Sequence, residues 1–349
     1  MLHYLKQKLV LFKQTSLWYY FIKFFFIPIF DFIWVNIINF QGRFLGILFQ
    51  FKNKEFYKIN KFEDFKSIEN NSEFERIAQI VKNSINDELI NKIKNNIKNE
   101  TELVKFDDPS KNQYGDYKKD FFSLLPDHVK KDVVNFALSE KNLLTATKYL
   151  KVLPRIKKII VYLNVPGSDK EKGAQLWHKD DFGYKSLDLF LGISDVDISN
   201  GPLYFLKTKN PLGVFFKIKN IVKNALPGER NKVSLNTFSN YYKENEVGAL
   251  IGKSGTGIFI DSFSKYHRGG FCKSKDRIML RISYQTPDSE RGNIANDSEN
   301  FFCYPRICKK DVKNIFHKYA MFKCSNLFMR FLKVDHAIIF LVRILHYKR

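Results

Sequence analysis

Between Ile156 and Tyr284 the chain is written as short apolar runs separated by glycine, proline and asparagine. Ile159–Val165, Leu187–Ile193, Leu203–Leu206, Thr256–Ile260 and Arg277–Tyr284 each have the length of one strand. Short, punctuated strands suit a jelly roll, in which ligands gather at one open mouth. Upstream the period changes to that of helices. A helix is predicted from Glu73 to about Lys98: Ser72 and Glu75 make a capping box, and Phe74, Ile77, Val81 and Ile85 form an apolar stripe. Two more are predicted at Asp127–Phe136 and Asn142–Leu150, ending before Pro154. Asp107–Asp120 is polar and turn-rich and reads as loop. The expected class is α+β, a jelly-roll core with helices flanking it at both ends.

The two ends of the chain differ from the middle. Residues 17–49 are strongly apolar, but Lys23, Asp31, Asn36, Asn39 and Arg43 interrupt them, and Pro28 sits in the longest unbroken run, Phe24–Phe30. A spanning helix wants about 20 largely uncharged residues, so interfacial or packed helices are expected instead. Leu9–Phe12 is too short for a signal-peptide core, and Lys13 ends it. From Asp311 basic and apolar residues alternate through Ile315, Phe316, Tyr319, Phe322 and Phe328, as amphipathic helices do; packing on the N-terminal helices and membrane contact fit equally. The resulting division is an apolar basic helical segment (1–60), a central domain (61–300) and basic amphipathic helices (301–349). The central domain holds helices to about residue 153, the strand-rich core 156–287, and an insertion at 212–250 that reads as a surface excursion or a lid.

Charge sharpens that picture. The formal net charge is +22, from 58 basic and 36 acidic residues, which draws the chain to polyanions. Residues 1–61 carry a net +7 and residues 309–349 a net +8, both interleaved with Phe, Ile and Leu. That interleaving favours peripheral contact with an anionic membrane over a nucleic-acid groove, and no zinc-finger spacing or glycine-rich loop supports the latter. Cys272, Cys303, Cys308 and Cys324 form no zinc-ligand pattern and read as free thiols in a reducing cytoplasm.

Candidate chemistry lies in two stretches. In Leu176–Thr208, His178 and Asp180 stand two positions apart, so an extended backbone points both side chains the same way. An imidazole and a carboxylate converging on one point suit a divalent metal; alone, the pair reads equally as a solvated loop. In Gly252–Tyr284 a strand leads to His267, then Arg268-Gly269-Gly270, and Arg277 opens another strand. Two histidines and one carboxylate make the facial triad of a non-haem iron(II) site, with three positions left for a cosubstrate and oxygen. Arg277 can pair bidentately with a carboxylate of that cosubstrate. Tyr162 and Asn164 alternate on a strand just before the ligands and are pocket candidates by strand parity.

The ordered set His178-x-Asp180, Asp195-Val-Asp197, Asn200-Gly201-Pro202-Leu203, Gly255-Thr256, Asp261, His267-Arg268-Gly269, Arg277 and Tyr284 resembles the phytanoyl-CoA dioxygenase family, over roughly Leu143–Pro287. The resemblance implies a double-stranded β-helix (cupin-like) and an iron(II)- and 2-oxoglutarate-dependent dioxygenase that hydroxylates a small molecule with molecular oxygen. It implies His178, Asp180 and His267 as the iron ligands and Arg277 as the anchor of 2-oxoglutarate, with Arg281 as the alternative anchor. Lys179 and Asp188 depart from the family's pattern, which bears on the substrate rather than on the metal.

Rival readings exist. Asp195-Val-Asp197 can hold a cation that bridges a nucleotide-sugar diphosphate, as in glycosyltransferases, but no Rossmann-type glycine fingerprint accompanies it. A non-catalytic, membrane-associated relative is the other. Gly252-Lys253-Ser254-Gly255 lacks the spacing of a phosphate loop and leads into a strand.

Overall fold

The computed structural model describes residues 27–53, 78–81, 85–101, 118–166, 171, 173–180, 186–207, 232–239, 242–287 and 313–321. Two antiparallel sheets face each other. The larger has the order β1-β9-β5-β11-β3-β2, with β1 Ala78–Val81, β2 Lys118–Asp120, β3 Arg155–Asn164, β5 Ser186–Gly192, β9 Gly257–Ile260 and β11 Arg277–Gln285. The smaller has the order β7-β4-β10-β6-β8, with β4 Trp177–His178, β6 Leu203–Leu206, β7 Lys232–Val233, β8 Val247–Ala249 and β10 His267–Gly269.

Alternation along the central strands places everything else. Ile159, Val161 and Leu163 of β3, Leu187, Leu189 and Leu191 of β5, and Leu280, Ile282 and Tyr284 of β11 join the main core beneath the helices. Their neighbours Ile160, Tyr162, Phe190 and Met279 meet Leu203 and Phe205 of the other sheet in a second core between the sheets. A strand has only two faces. The polar residues Asn164, Asp188, Arg277 and Arg281 share parity with that second set, so they are carried into the space between the sheets.

The helices cover the outer face of the larger sheet. These are α1 Ile27–Lys52, α2 Asp87–Thr101, α3 Asp127–Ala137, α4 Glu140–Leu150 and, after the short α5 Leu235–Ser239, α6 Ile315–Met321. The Tyr284 hydroxyl donates to the Ala137 carbonyl at 2.7 Å and ties β11 to α3. Among the described residues no helix is long and apolar enough to cross a membrane.

Three expectations need correction. The long helix from Glu73 does not form as one piece. Residues 72–77 lie outside the described set, but Ala78–Val81 is an edge strand paired with Gly257–Ile260. The β-branched pair Ile80-Val81 gains more from that ladder than from a helical turn. The helix starts later, where the Asn86 side chain accepts the Leu89 amide at 3.0 Å and Asp87 and Glu88 fill the first turn. Lys118–Asp120, expected as loop, is a strand on β3. Finally, the 212–250 stretch is not wholly an excursion: Lys232–Val233 pairs with β4 and Val247–Ala249 with β6. Residues 208–231 lie outside the described set, as do Tyr241, residues 1–26 and the tail beyond Met321. The described part of the tail, α6, buries Phe316, Tyr319, Ala320 and Met321 in the main core.

Candidate metal centre

His178 and His267 are brought together by strand register. β4 and β10 are antiparallel neighbours, and in their pairing His267 stands directly opposite His178. Directly opposed residues project to the same face with their side chains in contact, and the two rings lie 4.5 Å apart, centroid to centroid. Asp180 follows two residues after His178, and its amide donates to the Ser262 carbonyl at 3.0 Å. Ser262 lies in the turn between β9 and β10. That turn is held by Asp261, whose carboxylate accepts the amides of Phe263 and Ser264 and the hydroxyl of Tyr149.

One oxygen of Asp180 lies 3.6 Å from His178 Nε2 and the other 3.7 Å from His267 Nε2. The three donor atoms fall within 4.8 Å of one another, and among the described residues this is the one such group of His, Cys, Asp or Glu. The far ring nitrogens are already engaged. His178 Nδ1 sits 2.7 Å from the Leu176 carbonyl and His267 Nδ1 3.1 Å from the Lys265 carbonyl. A carbonyl only accepts, so each Nδ1 carries a proton and each Nε2 is the nitrogen turned toward the common point. Burial first, and then the neighbouring His267, push the His178 pKa down to about 3, which keeps that imidazole neutral and ready to ligate. Burial works against ionising Asp180, but Arg281 and the two imidazoles overcome it and hold its carboxyl well below the usual carboxylate range. Two imidazole nitrogens and one ionised carboxylate fit a divalent ion that accepts nitrogen and oxygen.

Arg281 is engaged on both sides. Its Nη2 donates to Asp180 and, at 2.8 Å, to Asp188, whose Oδ2 also accepts the Ser262 hydroxyl. Asp188, which is buried, therefore shares the Arg281 guanidinium with Asp180. Arg277 stands four residues earlier on the same strand face and is placed differently. Its Nη2 donates to Asn164 Oδ1 at 3.0 Å, while Nε and Nη1 are buried with no hydrogen-bond partner. Such an orphaned guanidinium is costly unless an acceptor arrives. Asn164 thus meets Arg277 directly, and Tyr162 lies on the same face of β3 with the Lys118 ammonium 4.1 Å from its ring centre.

Lys118 escaped the sequence reading. Burial, then the charges of Arg281, Lys158 and Arg277, push its pKa down to about 7. A three-residue strand in a polar stretch has no periodicity to reveal it. The Asp195-Val-Asp197 pair is consumed locally. Asp197 caps the turn Ile198–Asn200, and Asp195 accepts from Lys253 at 2.9 Å and from the Ser254 amide at 2.8 Å. These carboxylates hold a turn and give no support to a transferase. Lys179 lies 4.9 Å from the Tyr266 ring centre. Cys272 is a free thiol that donates to the Asn200 carbonyl; the other three cysteines lie outside the described residues.

No family model and no curated protein matches the sequence. Among solved structures, the chain is similar to the non-heme alpha-ketoglutarate-dependent carbocyclase SnoK from nogalamycin biosynthesis (13% identity, TM-score 0.42, 66% of this chain and 92% of that one). It is similar also to HygX from Streptomyces hygroscopicus, solved with nickel and 2-oxoglutarate bound (10%, TM-score 0.41, 60% and 82%). A third is the non-heme alpha-ketoglutarate-dependent epimerase SnoN (11%, TM-score 0.40, 60% and 78%). At this level of similarity the chemistry has to be read from the residues of the site themselves.

The Arg281 bridge sets a measurable stability term. Arg281→Met leaves Asp188 buried without its cation, and breaking such a pair costs about 3 kcal/mol or more. Chemical denaturation of the metal-free protein is expected to show that loss.

Proposed function

We propose that the protein is an iron(II)- and 2-oxoglutarate-dependent dioxygenase that hydroxylates a small-molecule substrate, built on a double-stranded β-helix. The observation that carries this reading is the His178–Asp180–His267 group, with His267 buried and the other two partly so, together with Arg277, two of whose buried guanidinium nitrogens have no hydrogen-bond partner. The resemblance in ordered motifs supports it.

In this reading His178 and His267 give Nε2 and Asp180 gives a carboxylate oxygen to the iron. Bound there with 2-oxoglutarate, iron(II) supplies the oxidative decarboxylation of the cosubstrate to succinate and carbon dioxide and the oxidation of a substrate C–H bond by oxygen. Arg281 orients Asp180 and limits its charge. Arg277 pairs with the distal carboxylate of 2-oxoglutarate, with Asn164 steering the guanidinium and Tyr162 walling the pocket. Phe190, 6.2 Å from the His267 ring, belongs to the apolar set that keeps bulk water from the reacting atoms.

Anaerobic iron(II) titration with and without 2-oxoglutarate, followed by succinate detection against a substrate panel, tests the assignment. Iron binding that 2-oxoglutarate does not strengthen, with no succinate formed, would sink it.

Lys118 makes the cosubstrate step pH-dependent. Above a pH of about 7 a growing share of the free protein carries Lys118 neutral. A carboxylate arriving among Lys118, Arg277 and Arg281 raises that pKa again, so binding takes up a proton. Affinity for 2-oxoglutarate is expected to fall as pH rises through this window. Calorimetry in buffers of different ionisation enthalpy reads the proton uptake directly, and Lys118→Met is expected to abolish it.

A further inference from the structure

The helix α1 has two unlike faces. Leu45 and Phe49 are buried in the main core, and Gly42 and Gly46 bring the backbone against Leu153, whose amide donates to the Gly42 carbonyl at 2.8 Å. At 3.6 residues per turn these four positions lie on one side. On the opposite side stand Phe40, Phe44, Ile47, Leu48 and Phe51, with between 41% and 75% of each side chain in solvent. Their spacing confines them to an arc of about 100°. Half of the exposed large apolar side chains among the described residues belong to this one stripe. Scattered exposed leucines need no explanation, whereas an ordered stripe of three phenylalanines does.

Arg43 and Lys52 fall at the two edges of the stripe, both exposed. An apolar arc bordered by cations is the arrangement of a helix lying in a bilayer interface. The rings enter the acyl boundary there, and the long basic side chains reach the phosphates. We infer that the outer face of α1 docks the protein on an anionic lipid surface, with the helix axis in the membrane plane.

Charge selects lipid over a second copy of the chain. Two molecules of net charge +22 brought face to face repel each other, while anionic headgroups attract the same face. Docking leaves the space between the sheets untouched, so this inference stands apart from the proposed chemistry.

Flotation of the full-length protein with phosphatidylcholine–phosphatidylserine vesicles, beside phosphatidylcholine alone, tests it. The protein is expected to float with the anionic vesicles at low salt and to be partly released by high salt, which screens the charge component. Phe44→Glu/Phe51→Glu is expected to lower partitioning about tenfold or more, with an unchanged thermal unfolding midpoint because neither ring is part of the core. Arg43→Gln/Lys52→Gln is expected to reduce anionic-vesicle binding while leaving the stripe intact. Recovery of the wild type in the soluble fraction would overturn the inference. So would flotation of the Phe44→Glu/Phe51→Glu variant at wild-type levels, or a wild-type dimer in light scattering that this variant dissociates.

Discussion

Removing either histidine of the triad is expected to cut iron(II) affinity by more than about a hundredfold, since loss of a mere outer-sphere partner already costs roughly 10–100-fold. His178→Ala and His267→Ala each delete one of three protein donors, and the remaining two cannot define a face of the ion. Asp180→Ala is expected to abolish turnover by a different route. It removes the anionic donor and also leaves Arg281 with Asp188 as its one carboxylate partner, so the guanidinium no longer presents neutral ground to a cation. Anaerobic calorimetry gives the affinities and succinate release gives the turnover. Wild-type iron binding in both histidine variants would end the assignment of this site as a metal centre.

Arg277→Leu is expected to weaken 2-oxoglutarate binding by about 2–5 kcal/mol, the usual cost of taking one partner from a desolvated charge pair, while iron affinity stays near wild type. The ligand-free protein should be no less stable. Arg277 keeps two buried nitrogens without partners, and a leucine removes that penalty. A loss of cosubstrate affinity together with preserved or raised stability is a signature that a purely structural arginine would not give. If Arg281→Leu instead produced the larger affinity loss, the anchor would lie four residues further along β11.

The sequence made the long strands legible because β3, β5 and β11 are buried over most of their length and carry apolar residues on both faces, with a few polar ones between them. Parity placed Tyr162 and Asn164 on one face of β3; that Arg277 shares this face comes from the pairing of β11 with β3. The short strands were not legible. β4 and β10, which carry the two histidines, have two and three residues, too few for any period to appear. Their identity as strands comes from pairing with partners distant in the chain. The same holds for Ala78–Val81, where a ladder with β9 overrode a plausible helical stripe. Asp188 is a buried carboxylate on the sheet opposite β4 and β10; it has no local signature, and only the fold brings it to Arg281.

The opposition of His178 and His267 across β4 and β10 also fixes an order of events during maturation. The two residues are separated by about a quarter of the chain, and joining them closes a long loop whose entropy cost precedes any reward. Before that closure the three side chains do not exist as a group, so an ion held by all three would enter a fold that is already formed. Such an ion would stabilise the finished protein by mass action and would slow its unfolding more than it speeds its folding.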